Sequence, residues 1–471
     1  MIISPGCWAV VQTVGRNGLS FLTFLVLSRL LEPKDFGLLG MAMAWLSFVG
    51  MFSEVGFSAA IIQKENIREE HFSSTFLVNI ALGVLLTFVG VGISFPAAVF
   101  FSAPEIQPLI MVLSLGFVLN SLSSTQMAIA QREFEFRKLA IRDLTASIAG
   151  GVIGIYAAFR GLGVWSLVVQ ILTTGVVSTF LLWRLSAWRP NLQSVRLDIL
   201  KELWPYSSKI FQFNLFKYFA QNTDKLIIGF FLGPVALGLY VFTFNIIVIP
   251  VTTIVGAVGS YLFPKYSRIQ GNIQRVKSLY LEDNGILGAV FSPLLVVVLT
   301  VSIILVPPVF DGKWNDALEL FPIMTIVAFF QIVISPVGSL LKSLNKPDWL
   351  LKWSALITVM VAASMMVGMR YGVEGIAFGL LFAYLVGFIV NMYMLSKIIY
   401  IKNEEIVRTY MYKAVKIVIA SGLLYAIVKS RFLLESAMSS VGLVLITVIY
   451  LVASFVCNRD DMSLLYVKLR S

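Results

Sequence analysis

Apolar stretches long enough to cross a bilayer recur along this chain from end to end, and that recurrence leaves few folds open. The hydrocarbon core of a membrane takes about 20 apolar residues per helical crossing. Such runs stand at 5–31, 36–61, 72–101, 105–131, 140–159, 162–186, 203–232, 236–263, 278–307, 316–341, 349–369, 373–397, 412–428 and 438–457. Prolines and glycines punctuate them, as in Glu32-Pro33-Lys34, Arg160-Gly161, Gly233-Pro234, Pro307-Pro308 and Tyr371-Gly372. A secretory signal supplies one such run at the start only. A transmembrane barrel would show strands of roughly ten alternating residues, and these runs are longer and continuously apolar. Composition agrees: 13% of residues are charged and 58% hydrophobic, where a soluble domain carries roughly 25% charge. The expected fold class is an all-α polytopic membrane protein of about 14 transmembrane helices.

Basic residues give the expected orientation. Of the 36 Lys and Arg, 26 fall in loops or at helix ends on the side that carries Lys64 and Arg68, seven fall likewise on the opposite side, and three lie well inside spans. The positive-inside rule makes the first side cytoplasmic, with both termini inside. The net charge of +11 is thus chiefly a topology signal. It favours anionic lipid headgroups and gives no reason to expect nucleic acid. The two cysteines, Cys7 and Cys457, fall near the cytoplasmic ends of the first and last helices, a reducing setting that favours free thiols. His71 is the only histidine and is read as part of a short cytoplasmic loop. One histidine and two distant cysteines exclude a His/Cys metal site on ligand count. With no glycine-rich phosphate loop and no acidic cluster, neither a metal nor a cofactor is expected.

A repeat divides the chain. Shifted by 201 residues, Leu31, Pro33, Gly37 and Leu38 fall on Leu232, Pro234, Gly238 and Leu239. A weaker echo joins the Gly161 segment to Gly372 at a slightly larger offset. Six helices per unit is an even number, so both units enter from the same side, as a parallel repeat about the membrane normal. The expected organisation is two pseudo-symmetric six-helix lobes, 1–186 and 203–400, joined by a cytoplasmic linker at 187–202. The segment 401–471 adds two helices and a cytoplasmic tail. Two facing lobes suit alternating access; any two Pro/Gly hairpins look somewhat alike, which is the plainer reading.

Chemistry is sought where charge is expensive. Arg16, Lys217 and Lys225 are the three basic residues well inside spans. Arg16 follows Pro5 by eleven residues, roughly 16 Å along a helix, too deep to snorkel easily. Such a charge costs at least ~2.5–3.5 kcal/mol at the bilayer centre and should face a wet cavity or a partner. The 201-residue shift places Arg16 on Lys217. Gln12, Arg16, Ser20 and Thr23 form one polar stripe, and Asn214, Lys217, Gln221 and Asp224 form another; such stripes face a bundle interior. A cavity lined by both would be cationic and suited to a diphosphate. The competing reading makes Arg16 an interhelical staple to a distant carboxylate. Among acids, Glu54 and Asp224 are the candidates for a coupling-ion or proton site. Asp143, Glu282 and Asp283 open their helices and are expected to be interfacial and solvated. The amides Asn79, Asn120, Gln126, Gln170, Asn245, Gln331 and Asn391 are candidates for sugar hydroxyls, or for helix–helix hydrogen bonds.

A family resemblance then emerges. The segments Leu27-Ser-Arg-Leu-Leu-Glu-Pro-Lys-Asp-Phe-Gly37 and Glu54-Val-Gly-Phe-Ser-Ala-Ala-Ile-Ile-Gln63 resemble the signatures of polysaccharide-biosynthesis flippases. So do Gln131 through Arg132, Phe134, Phe136 and Lys138, and Gly161-Leu-Gly-Val-Trp-Ser-Leu-Val168. In the second half Asn222-Thr-Asp-Lys-Leu-Ile-Ile-Gly229, Leu237-Gly-Leu-Tyr240 and Leu262-Phe-Pro-Lys-Tyr-Ser267 are similar to the matching signatures. The order and spacing, from residue 5 to about 400, resemble the lipopolysaccharide/teichuronic-acid branch of the multidrug/oligosaccharidyl-lipid/polysaccharide (MOP) exporter superfamily. Members often begin with a basic amphipathic segment, whereas no charged residue precedes Arg16 here. The resemblance implies a monomeric flippase of the bacterial inner membrane, not an enzyme. It would carry an undecaprenyl-diphosphate-linked oligosaccharide to the outer leaflet, driven by a cation gradient or the membrane potential. Membrane lipids, a polysaccharide polymerase and export machinery are its expected partners. Arg16, Lys217, Gln12, Asn214, Gln221 and Lys225 would bind substrate. A multidrug/cation antiporter shares the fold but would call for a more acidic cavity. A glycan polymerase or ligase would need long extracytoplasmic loops, which this chain lacks. A structural scaffold would not need mid-bilayer cations.

Overall fold

The computed structural model describes residues 5–53, 61–62, 67–191, 193, 195–196, 198–429 and 437–457. Among them the chain is helical throughout, and ten helical runs are long and apolar enough to cross a membrane. One of these, Asp348–Ile398, holds two helices end to end. The protein is therefore a multi-pass, all-helical membrane protein. The described residues form two compact units, Met1–Gly238 and Leu239–Ser471.

The first unit begins with α1 (Pro5–Leu30) and α2 (Pro33–Gly50). Pro33 starts α2 because its ring fixes a helical φ and its missing N–H is not needed at N1. The Asp35 carboxylate accepts the Glu32 N–H at 3.0 Å and completes the turn. Then follow α3 (Glu69–Phe100), α4 (Ile106–Leu113), α5 (Leu115–Arg132), α6 (Phe136–Phe159) and α7 (Trp165–Leu185). The long α8 (Asp198–Thr243) is broken at Gly233, whose φ of 80° and ψ of −175° suit glycine alone. Gly161 and Gly372, the two members of the weaker sequence echo, also take positive φ, 76° and 70°.

After α7 the chain is stitched to the start of α3. Trp188 packs its ring against Phe72 and Phe76, with centroids 6.2 and 5.7 Å away. Ser73 and Ser74 accept the backbone N–H groups of Asn191 and Arg196 at 3.1 and 2.8 Å. Arg189 donates to the carbonyls of Trp183, Ser186 and Trp188.

The repeated hairpin residues meet one another. A Cβ on Gly37 would lie 1.7 Å from the carbonyl oxygen of Pro234, and one on Gly238 would lie 1.8 Å from that of Pro33. Each hairpin thus offers its glycine to the other's proline, an approach only glycine permits. Beneath this crossing Gly229 faces Phe101 and Met41, and Phe100 packs on Phe230 at 4.6 Å and on Trp45 at 5.6 Å. Tyr218 donates its hydroxyl to the Ala44 carbonyl at 3.2 Å. The first turn of α2 is further held by Lys34, whose ammonium lies 2.9 Å from Glu105.

The second unit contains α9 (Ile249–Ser267), α10 (Ile273–Val309), α11 (Leu320–Ile334), α12 (Pro336–Ser343), α13 (Pro347–Gly368), α14 (Gly372–Ile398), α15 (Tyr412–Lys429) and α16 (Ala437–Cys457). Its core includes Trp314 stacked on Phe242 at 3.9 Å, flanked by Phe310 and Phe321. Asn272 caps α10 by accepting the Arg275 N–H at 3.1 Å. At 37 residues, α10 is about 55 Å long, well beyond the ~30 Å hydrocarbon core. Its charged first turns therefore stand outside the apolar run.

Two of the three helix-end acids, Asp283 and Asp143, are buried rather than solvated, whereas Glu282 is half-buried. Helix α10 starts at Ile273, and Asp283 sits almost three turns in, with only 8% of its surface exposed. Both its oxygens accept from the Lys265 ammonium, at 2.6 and 2.7 Å, and one also takes the Tyr266 hydroxyl at 3.2 Å. Similarly, α6 starts at Phe136, so Asp143 lies two turns inside and is buried. His71 is a further correction: it is fully buried in the first turn of α3, where Nδ1 accepts the Arg68 N–H at 3.2 Å. Lys413 is buried in α15 and donates to the Gly285 carbonyl at 2.8 Å. Lys277 meets Glu405 at 2.7 Å. Cys7 is exposed and outside any disulfide, while the side chain of Cys457 lies outside the described residues.

Candidate functional site

The polar stripe of α1 turns toward α6. Small residues let the two helices approach: a Cβ on Gly15 would lie 2.6 Å from Leu144, and one on Gly151 would lie 2.7 Å from Thr23. This closeness brings Gln12 and Arg16 to Asp143. Gln12 Nε2 donates to Asp143 Oδ2 at 2.7 Å, and Arg16 Nη1 stands 4.0 Å from the same oxygen. The neighbouring Arg142 occupies the other oxygen, with Nε at 2.7 Å and Nη2 at 2.6 Å. One helical turn nearer the start of α1, the Arg137 guanidinium lies over the Trp8 ring, 5.9 Å from its centroid.

The electrostatics are asymmetric. Asp143 and Arg142 have side-chain exposures of 5% and 8%, whereas Arg16 keeps 51% of its side chain open. A buried carboxylate is tolerable only when paired and hydrogen-bonded, and Arg142 with Gln12 meets that need. Arg16 therefore joins the cluster as a surplus cation. The staple reading holds as far as the long contact with Asp143 goes, but it leaves most of the guanidinium exposed. Two arginines, one carboxylate and an amide leave a net positive charge able to attract an anion. Arg142 and Asp143 were not singled out as site residues from the sequence. Their signal was the Arg-Asp pair itself, hidden by placing the start of that helix one turn late.

The second stripe lies on α8. Gln221 is exposed there and Asp224 half-buried, the Asp224 carboxylate accepting the Lys225 backbone N–H at 2.8 Å. The Lys225 ammonium turns back along its own helix, 3.5 Å from the Gln221 carbonyl and 3.4 Å from Asn222 Oδ1. Asn214 and Lys217 lie on the same helix, but their side chains are outside the described residues, as is the whole of Glu54.

The candidate amides separate by surroundings. Asn79 is spent on Ser124 at 2.9 Å, and Asn245 on the Val241 carbonyl at 2.7 Å. Gln170 packs under Gly154. Gln331 instead lines a cavity of about 400 Å³ with Ser335, Trp353 and Tyr384, and its described lining carries no charged side chain. No group of three or more His, Cys, Asp or Glu among the described residues is placed to hold a metal.

Comparison with known proteins follows the same lines. The chain is 24% identical to the lipopolysaccharide biosynthesis protein WzxC of Escherichia coli (strain K12), over 84% of its own length and 81% of the relative's. It is 24% identical to the teichuronic acid biosynthesis protein TuaB of Bacillus subtilis (strain 168), over 79% and 77%. Among solved structures its fold is similar to that of the lipid II flippase MurJ in an inward closed conformation. The TM-score is 0.72 at 14% identity, covering 97% of this chain and 99% of that one. It is less similar to an inward-facing multidrug resistance transporter of the MATE family, at TM-score 0.61 and 17% identity, over 83% and 98%. The model of the polysaccharide biosynthesis protein family matches residues 26–319. That match spans more than half of the chain and includes α2 and the Asp143 cluster's α6, so the chain belongs to the polysaccharide biosynthesis protein family.

Proposed function

We propose that this protein is a transporter that flips a polyprenyl-diphosphate-linked oligosaccharide from the cytoplasmic to the outer leaflet, for cell-surface polysaccharide biosynthesis. The observation that carries the reading is the half-exposed Arg16 guanidinium, held more than two turns inside α1 beside a carboxylate already neutralised by Arg142. A cation in that setting suits a diphosphate, and the curated relatives bear names from lipopolysaccharide and teichuronic acid biosynthesis. Gln12, Asn214, Lys217, Gln221 and Lys225 complete the proposed binding set. Asp224 and Glu54 are proposed for coupling to a cation gradient or the membrane potential. Trp353 and Tyr384, with Gln331 and Ser335, suit a neutral sugar, since aromatic faces and amides bind its CH and OH groups.

The proposed setting is the bacterial inner membrane, with both termini cytoplasmic as the 26-to-7 distribution of basic residues directs. A monomer of two lobes, 1–186 and 203–400, would work by alternating access. The crossing of Pro33 and Gly37 with Pro234 and Gly238 would be its closed outer end, and a polymerase would receive the flipped lipid.

The test is flipping of a fluorescent undecaprenyl-diphosphate oligosaccharide in proteoliposomes by wild type, Arg16→Ala and Lys217→Ala. Wild type is expected to flip, and both variants to insert normally yet slow at least tenfold. Variants that flip at the wild-type rate would remove these residues from the substrate path. A wild type that leaves the glycolipid in place while exporting organic cations would replace the flippase with an antiporter.

A further inference from the structure

Asp143 has an evident partner in Arg142, yet the way its two oxygens are shared indicates a second role. Oδ1 receives both Arg142 contacts, and Oδ2 receives the Gln12 amide at 2.7 Å. Arg16 Nη1 approaches Oδ2 only to 4.0 Å, beyond hydrogen-bond range. The carboxylate therefore aligns Arg16 electrostatically without taking any of its five N–H donors. Gln12 stands where a closer Arg16 contact would form, so it acts as a spacer between the two charges. A further charged group of α6, Arg137, is engaged over Trp8 of α1.

We propose that Asp143 is a positioning residue for anion capture: it points Arg16 at the incoming diphosphate and lowers the resulting affinity enough for release. The role rests on the reading of Arg16 as a diphosphate ligand. An opposite charge this near stabilises the guanidinium that a phosphate must share. Removing it leaves Arg16 and Arg142 both uncompensated, so ground-state binding tightens, and tighter ground-state binding does not speed turnover.

The experiment measures binding of undecaprenyl diphosphate, without glycan, to the full chain in nanodiscs, alongside flipping of the glycan-loaded lipid. Asp143→Asn is expected to bind about tenfold more tightly, with KM and maximal flipping rate falling together, and Asp143→Glu to restore both values. Should Asp143→Asn not be recovered folded, the pair Arg142→Gln/Asp143→Asn takes its place and is compared with Arg142→Gln, than which it is expected to bind more tightly because only Asp143 differs between them. Unchanged or weaker binding in the recovered variant overturns the proposal and leaves Asp143 as the packing partner of Arg142. Arg16→Ala is the separate control. If it binds as tightly as wild type, the Arg16 reading itself fails, whatever the Asp143 variants do.

Discussion

Replacing Gly37 by alanine places a methyl group where the Pro234 carbonyl now sits. The new Cβ would lie 1.7 Å from that oxygen, 2.5 Å from its carbon and 2.9 Å from the Pro234 Cα. All three are backbone atoms, so no rotamer change relieves the overlap. Bringing the closest contact to about 3 Å separates the hairpins by at least about 1.3 Å. Overpacking of this kind costs about 1–3 kcal/mol. If the crossing closes the outer end, that cost falls on the closed state alone and shifts the balance toward opening about 5- to 150-fold. Gly238→Ala meets the Pro33 carbonyl at 1.8 Å and should act alike. One separation relieves both overlaps, so the double variant should be no worse than the worse single one, a non-additivity characteristic of shared contacts. The assay is labelling of Met41→Cys, beneath the crossing, by a membrane-impermeant thiol reagent applied from outside, with Cys7 and Cys457 changed to serine. Wild type should be protected and both alanine variants labelled at least fivefold faster. Wild-type labelling rates and melting temperature in Gly37→Ala would falsify the close approach and the gate built on it.

Two further outcomes are expected. Lys265→Met removes the cation paired with the nearly buried Asp283 and should destabilise the protein by about 3–5 kcal/mol, read as a fall in melting temperature in detergent; Lys265→Met/Asp283→Leu should recover much of the loss. On the exposed side of α2, the hydrogen bond from Lys34, aided by the Glu105 backbone, holds the Glu105 carboxyl below its usual 4.5. A lowered folded-state value means the pair's contribution is present above the unfolded value and lost as pH falls through the folded one. The wild-type labelling rate at Met41→Cys, taken as a ratio to that of Glu105→Gln at the same pH so that the falling thiolate fraction cancels, should therefore climb toward one below pH 4.5, checked by a pH series from 6 to 3.5.

Much of the fold was legible because bilayer crossings impose long apolar runs and Pro/Gly breaks that survive in a single sequence. The recurrence of Leu31, Pro33, Gly37 and Leu38 at a 201-residue shift marked out two hairpins. That each glycine would meet the other hairpin's proline was not legible, because a close approach leaves no periodic signal. The acids were misjudged for a specific reason: helices α6 and α10 begin four to five residues before their apolar runs do, which carries Asp143 and Asp283 from helix ends to buried positions. Lys265, Lys277 and Lys413 show a related limit. Basic residues that report orientation also serve as ion-pair and carbonyl partners, and a count of charges does not separate the two uses. Gln12 and Arg16 were singled out because a polar stripe on an apolar helix stands out, while their contact with Asp143 on α6 required the three-dimensional structure.

The stitching of the chain after α7 to the start of α3 has a mechanical consequence. A segment of polar and aromatic residues between two helical groups invites description as a tether that swings. Here Trp188 is wedged against Phe72 and Phe76, and the backbone is pinned again at Asn191 and Arg196. At those points the backbone is splinted to α3, so lengthening the chain between Trp188 and Asn191 would slacken a buttress.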